Sequence, residues 1–140
     1  MTPEEARARF AGERVARLAT VRPDGAPHVV PVVFAVSGDE IWLAVDDKPK
    51  RTNELQRLAN VEAEPRVSLL ADRYDDEHWS RLWWVRADGR ARVRADPRSI
   101  GRAGELLGAR YPQHAERPPP GPAIVVEVER WTGWSATTPT

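Results

Sequence analysis

Apolar and polar positions along the chain change period several times, and each change marks an element. Pro3–Ala11 predicts a short helix and Val15–Val21 a strand. RPDGAP at 22–27 puts Pro at the first central turn position with Asp-Gly after it, a hairpin signature. HVVPVVFAV at 28–36 is apolar at both parities, as in a strand buried from two sides. Pro31 breaks its ladder at the centre and leaves an open or bulged edge where a flat polar ligand can pair.

Ser37-Gly38-Asp39 turns the chain into a strand at Ile41–Val45. A helix follows, ending near Ala59 with Leu55, Leu58 and Ala59 on one face, and Glu64-Pro65 stops it before a strand at Arg66–Ala71. Leu82–Val93 alternates, with Trp83, Val85, Ala87, Ala91 and Val93 on one side. Asp88-Gly89 either splits it into a tight hairpin or bulges one long strand. Asp96-Pro97 opens a second long helix carrying Ile100, Ala103, Leu107 and Tyr111. A Pro-rich loop at 112–122 leads to a last strand, Ala123–Trp131. Strands joined mainly by turns close best as an antiparallel barrel or sandwich, so a mainly β fold is expected, with one domain over 1–140. A barrel this small is filled by its own side chains, which sends a large ligand outside it, against a second subunit.

Composition narrows the function classes. The 140 residues are 41% hydrophobic and 30% charged, as in an ordinary globular protein. No apolar run approaches the roughly 20 residues of a membrane span. MTPEEARARF lacks the apolar stretch of a signal peptide, so a cytoplasmic location is expected. Without cysteine there is no disulfide, thiolate nucleophile or Cys-bound metal. The 21 basic and 21 acidic residues balance, and the arginines of 86–98 are interrupted by Asp88 and Asp96. That segment reads as a solvated face rather than a nucleic-acid site.

Lys48 and Lys50 are the chain's only lysines, and they stand beside Arg51 where a helix begins. If Pro49 is the first helical position, Lys50 and Arg51 fall in the first turn, where each cation costs about 0.3–1 kcal/mol against the macrodipole. Asp46 and Asp47 offset part of this, which makes a charge-mixed cap one reading. Free N–H groups beside two or three cations make a phosphate site the other.

LATVRPDGAPHVVPVVFAV followed by DDKPKRTNELQRLANVEAEPRVSLL resembles the pyridoxamine 5′-phosphate oxidase-like superfamily, most nearly its F420-dependent oxidoreductases. The resemblance runs from Arg17 to Trp134 and rests on the ordered set: PDG turn, PHVVPV strand, basic helix start and NxxxxPRVSLL. It implies a split β-barrel homodimer with cofactor sites between subunits, and coenzyme F420 or, in relatives, FMN. Lys50 and Arg51 match the superfamily's basic pair for the cofactor phosphate, with Lys48 a third contact. His28 to Val33 would line the ring largely through backbone groups, which brings in Val30, Pro31, Val32 and Val33. FMN oxidases of the superfamily carry further basic residues on this strand, where this chain offers only His28, a departure that favours F420. The implied chemistry is hydride transfer to a small conjugated substrate, needing no protein nucleophile.

Other constellations are sparse. His28, His78 and His114 lack metal-ligand spacing, and YDDEHW at 74–79 reads as a solvated loop, so no metal is expected. Ser68, Ser80 and Ser99 have no nucleophile-elbow context. Of six tryptophans, Trp42 and Trp83 read as core. Trp79, Trp84, Trp131 and Trp134 are candidates for a substrate wall, against the plainer reading of core or interface packing. Two further readings stand beside the F420 enzyme: an FMN-dependent oxidase, and a non-catalytic binder of F420, flavin or a tetrapyrrole.

Overall fold

The computed structural model describes residues 1–45 and 52–137. Helix α1 (Pro3–Gly12) starts where expected, with Thr2 as N-cap and Pro3 in the first turn. Glu5 N–H donates to Thr2 Oγ1 and Thr2 N–H donates back to Glu5 Oε2, a reciprocal capping box. One face of α1 buries Ala6 and Phe10.

Seven strands follow: β1 (Ala16–Val21), β2 (Pro27–Val32), β3 (Ala35–Ser37), β4 (Glu40–Ala44), β5 (Arg66–Arg73), β6 (Trp83–Arg94) and β7 (Ala123–Ser135). Helix α2 (Thr52–Ala63) lies between β4 and β5; α3 (Pro97–Gly108) and α4 (Pro112–Glu116) lie between β6 and β7. The sheet order is β2-β1-β5-β6-β7-β4-β3, and every pairing is antiparallel.

The two end strands of that order, β2 and β3, are separated in sequence by only Val33 and Phe34. Three Cα–Cα steps from Val32 to Ala35 reach at most about 11 Å. A flat seven-strand sheet would hold its outer strands about 29 Å apart. The sheet therefore curls until the end of β2 lies near the start of β3, with no ladder between them among the described residues, giving the expected split-barrel architecture. Its interior is filled by Leu18, Val32, Phe34, Ile41, Leu43, Leu69, Val85 and Val126, each at most 5% exposed. No helix among the described residues is long and apolar enough to cross a membrane.

Three expectations need correction. Residues 28–36 form two strands, not one, and the break falls at Val33–Phe34 rather than at Pro31, which stays in register opposite Arg17. Nor is β2 buried on both faces in this chain: Val29 is 61% exposed while Val32 is 5% exposed. Helix α2 runs past Ala59 to Ala63, with Leu55 exposed and Asn60 and Val61 buried in its place.

Asp88-Gly89 resolves as a bulge within one 12-residue strand. Gly89 is required there, since a Cβ would lie 2.2 Å from the Glu127 carbonyl oxygen. The last strand continues to Ser135, past the polar residues expected to end it. Asp96 caps α3, its side chain accepting from Ser99 N–H. That bond lowers the Asp96 carboxyl below its usual pKa.

Candidate functional site

Among the described residues strand β2 pairs with β1 alone and so has one free edge. Proline has no N–H to give to β1, so Pro27 and Pro31 favour the positions whose backbone groups turn away from it. Backbone orientation alternates along a strand, so Val29 shares theirs. The free edge then offers the carbonyls of Pro27, Val29 and Pro31 but only one N–H, that of Val29. Such an acceptor-rich edge discourages pairing with another strand and suits a planar ligand carrying donors.

The side chains of this segment divide by face. His28 and Val32 point inward and are buried, Val30 is half-buried, and Pro31 and Val33 are exposed. His28 lies opposite Thr20 on β1. Its Nδ1 atom is buried without a hydrogen-bond partner among the described residues.

Thr20 is itself a buried polar residue, satisfied from α2. Asn60, fully buried, donates from Nδ2 to Thr20 Oγ1 at 3.0 Å, and its Oδ1 accepts from Gln56 Nε2 at 2.7 Å. This polar contact seats α2 on β1, and the helix also packs against β6. Asn60 is the first residue of the NxxxxPRVSLL signature, yet nothing in the sequence gave it a role. Lys48, Lys50 and Arg51 lie outside the described residues; in sequence they directly precede Thr52, the first residue of α2.

A second polar assembly holds the link after β2. Arg110, at the end of α3, donates to the carbonyls of Phe34 and Glu13. Tyr111 Oη accepts from Phe34 N–H and lies within donating distance of the Phe34 and Arg14 carbonyls. The guanidinium of Arg110 also packs over the rings of Phe34 and Tyr111. Burial lowers the Arg110 pKa, but an arginine starts high enough to stay charged. The end of α1, the Val33–Phe34 link and the end of α3 are thus tied by one guanidinium and one phenol.

The outer face of the sheet next to β2 is apolar with a polar far side. Pro31, Arg17 and Leu70 form one row across β2, β1 and β5, and Val29, Ala19 and Ser68 the next. Ser68 Oγ donates to Asp88 Oδ1 at 2.5 Å, and Arg86 Nε donates to Asp88 Oδ2 at 3.0 Å. Arg86 leans over Trp84, which faces Trp134 across the β6–β7 pair.

Of the four candidate tryptophans only Trp84 and Trp134 come together, and Trp79 and Trp131 lie apart from them. Trp131 is buried edge-on against Phe10, and its indole N–H donates to Asp39 Oδ1 at 3.2 Å. It borders a cleft of about 560 Å³ with Met1, Arg7 and Asp39, which neither Trp79 nor Trp134 reaches. Trp79 sits on the turn at Trp79–Arg81 and is 68% exposed. In the 74–79 loop, Asp75 Oδ1 accepts from the N–H groups of Glu77 and His78, a local turn function. No group of three or more metal-ligating side chains occurs among the described residues.

A split barrel with a free, proline-marked edge strand and a helix docked beside it defines a class of cofactor-binding proteins. The family model for pyridoxamine 5′-phosphate oxidase matches residues 2–135, and the chain belongs to that family. Among solved structures it is similar to the conserved hypothetical protein Rv2991 from Mycobacterium tuberculosis. The two are 26% identical with a TM-score of 0.79, over 97% of this chain and 86% of that one. An FAD-binding protein from Mesorhizobium loti is 22% identical, TM-score 0.71, over 95% and 94% of the two chains. An FAD-binding protein from Mycobacterium smegmatis is 21% identical, TM-score 0.63, over 95% and 93%. No curated protein matches the chain in sequence.

Proposed function

We propose that this chain is an oxidoreductase that holds a flavin-type cofactor, coenzyme F420 in the first reading, between the free edge of β2 and the basic stretch before α2. One observation carries the reading. The Asn60–Thr20 bond docks α2 onto β1, the strand that pairs with β2, so the helix that follows Lys48, Lys50 and Arg51 in sequence lies one strand from the free edge. Family membership supports a catalytic role over simple ligand storage.

The residues fit such a group in kind. The β2 edge offers carbonyls to ring N–H groups, and Pro31 and Val33 offer apolar contact. Three cations ahead of a helix N-terminus suit one phosphate. Bound there, the cofactor would supply hydride-transfer chemistry. The protein's part is to orient the ring, neutralise the phosphate and keep water from the reacting face. The exposed apolar residues on this face of β2 and β5, with Val29 61% and Leu70 40% exposed in two adjacent rows, suit burial by a second copy, which would complete the site as a homodimer. That β2 offers only His28 as a basic residue favours F420 over FMN. The two FAD-binding structural relatives favour a second reading, in which the ring is that of FMN or FAD.

Equilibrium titration with F420, FMN and FAD tests both. Tight F420 binding with weak flavin binding supports the first reading, the reverse order supports the second, and binding of none refutes the site. Lys50→Ala with Arg51→Ala should weaken the preferred cofactor by tenfold or more, since charge-assisted contacts contribute about 1.5–3 kcal/mol each. Unchanged affinity in the folded double variant would remove the phosphate assignment.

A further inference from the structure

A cleft of about 620 Å³ opens on the far side of α1 from the core, between that helix, the β5–β6 connection and the segment after β7. Its wall on α1 is low because Ala8 and Gly12 supply almost no side chain; a Cβ at Gly12 would meet nothing within 4 Å. The rest is lined by Arg9, Glu13, Arg73, Tyr74, Asp75, Ser80, Arg81, Trp83 and Thr137, and no residue proposed for the cofactor borders it. The volume lies within the range of small-molecule sites.

Its polar groups are unequally committed. Three guanidinium groups bring five N–H donors each. Arg73 Nε donates to Glu13 Oε1 at 2.7 Å. Arg81 Nη1 is 3.8 Å from Asp75 Oδ2, too far for a hydrogen bond. Arg9 packs over the Trp83 ring, 5.5 Å from its centre, and makes no ion pair among the described residues. The two carboxylates are each engaged through one oxygen: Asp75 Oδ1 takes two backbone N–H groups and Glu13 Oε1 takes Arg73, while the Ser80 carbonyl takes the Thr137 hydroxyl. The cleft therefore sets three cations, with most of their N–H donors uncommitted, against two partly engaged anions. Carbonyls at the end of α1 add some negative potential, which the Arg9 side of the cleft must overcome. Trp83 and the 69% exposed Tyr74 add flat apolar surface.

We infer that this cleft is a second ligand site, taking a small aromatic carboxylate whose anionic group lies on the Arg9, Arg73 and Arg81 guanidiniums and whose ring lies beside Trp83 and Tyr74. It is separate from the cofactor reading and stands or falls without it. Binding would tie α1 to the β5–β6 connection through a shared ligand.

Benzoate is the probe, followed by the indole N–H resonance of Trp83 in a ¹⁵N-correlated NMR spectrum, assigned with Trp83→Phe. A saturable shift with a dissociation constant of about 1 mM is expected for so small a ligand. Arg9→Gln and Arg73→Gln should each weaken it about tenfold. Gly12→Leu fills open space without left-handed backbone strain and should abolish the shift in a folded protein. Lys50→Ala with Arg51→Ala should leave it unchanged. A shift that stays linear to about 20 mM, or survives Gly12→Leu, overturns the site. Wild-type affinity in both arginine variants overturns the anion assignment, and loss of binding only in the Lys50, Arg51 variant relocates the ligand and refutes the proposal.

Discussion

Asn60 gives the sharpest test of how α2 is held. Asn60→Leu keeps the number and branching of side-chain heavy atoms but removes the donor to Thr20 Oγ1 and the acceptor for Gln56. Gln56 is half-buried and can turn to water, whereas Thr20 is 3% exposed and loses its donor in place. Leaving one buried polar group unsatisfied costs about 1–3 kcal/mol, so a loss of about 2 kcal/mol is expected. For a chain of this length that lowers Tm by about 7 °C. Adding Thr20→Val removes the stranded hydroxyl and should return at least about 1 kcal/mol, making the double variant more stable than Asn60→Leu alone. Urea unfolding of the wild type, both single variants and the double variant measures the cycle. If the two changes add within about 0.5 kcal/mol, the hydrogen bond does not seat the helix and the argument fails.

Three other outcomes are expected. Gly89→Ala drives a Cβ into the β7 main chain, with Glu127 O at 2.2 Å and Val128 Cα at 3.0 Å, and should cost about 2–3 kcal/mol. A melting temperature within a degree or two of wild type would show that the bulge relaxes freely. Arg110→Met removes a charged donor from the Phe34 and Glu13 carbonyls and should speed amide exchange at Phe34 at least tenfold relative to the barrel core. Arg110→Lys should not rescue it, because one ammonium lacks the forked geometry to bridge two carbonyls. The Glu64 carboxyl is held down to about 2 from its ordinary 4.5, mainly by the Arg66 side chain. Its contribution to stability is present above about pH 4.5 and lost as pH falls towards 2, so the Tm gap between wild type and Glu64→Gln should close over that window. The pair is exposed and the gap small, so a gap that instead widens on acidification refutes the assignment.

The strands were legible because their turns carry local chemistry. Arg22–Pro27 and Ser37–Asp39 hold glycines at positive φ, and Asp96 announces α3 by its own side chain. What stayed hidden is long-range. Val33 and Phe34 are good strand residues, and the groups tied to Phe34 where the ladder breaks, on Arg110 and Tyr111, lie 76 and 77 residues away in sequence. Asn60 reads as an ordinary polar helix residue because its partner, Thr20, is 40 positions distant. The exposed face of β2 was misjudged because its apolar outer residues are indistinguishable in sequence from buried ones. The Arg9–Trp83 cleft was invisible for the opposite reason: scattered arginines read as solvated charge until α1 brings them beside one ring.

The closure of the barrel has a consequence for how the chain is made. Leu43 pairs with Ile124, so β4 finds its partner only after 81 more residues have been joined to the growing polypeptide. At about 5–20 residues per second that is roughly 4–16 s of synthesis. Over that interval β3 and β4 can form no more than a two-stranded hairpin, which is marginal in water. Ile41 and Leu43, both sealed in the finished molecule, must spend the wait without their sheet. Folding cannot proceed simply from the front of the chain to the back. Strand β7 stands between β6 and β4 and joins the two halves of the sheet, so the nascent barrel is most exposed to misassembly and chaperone capture until β7 has emerged.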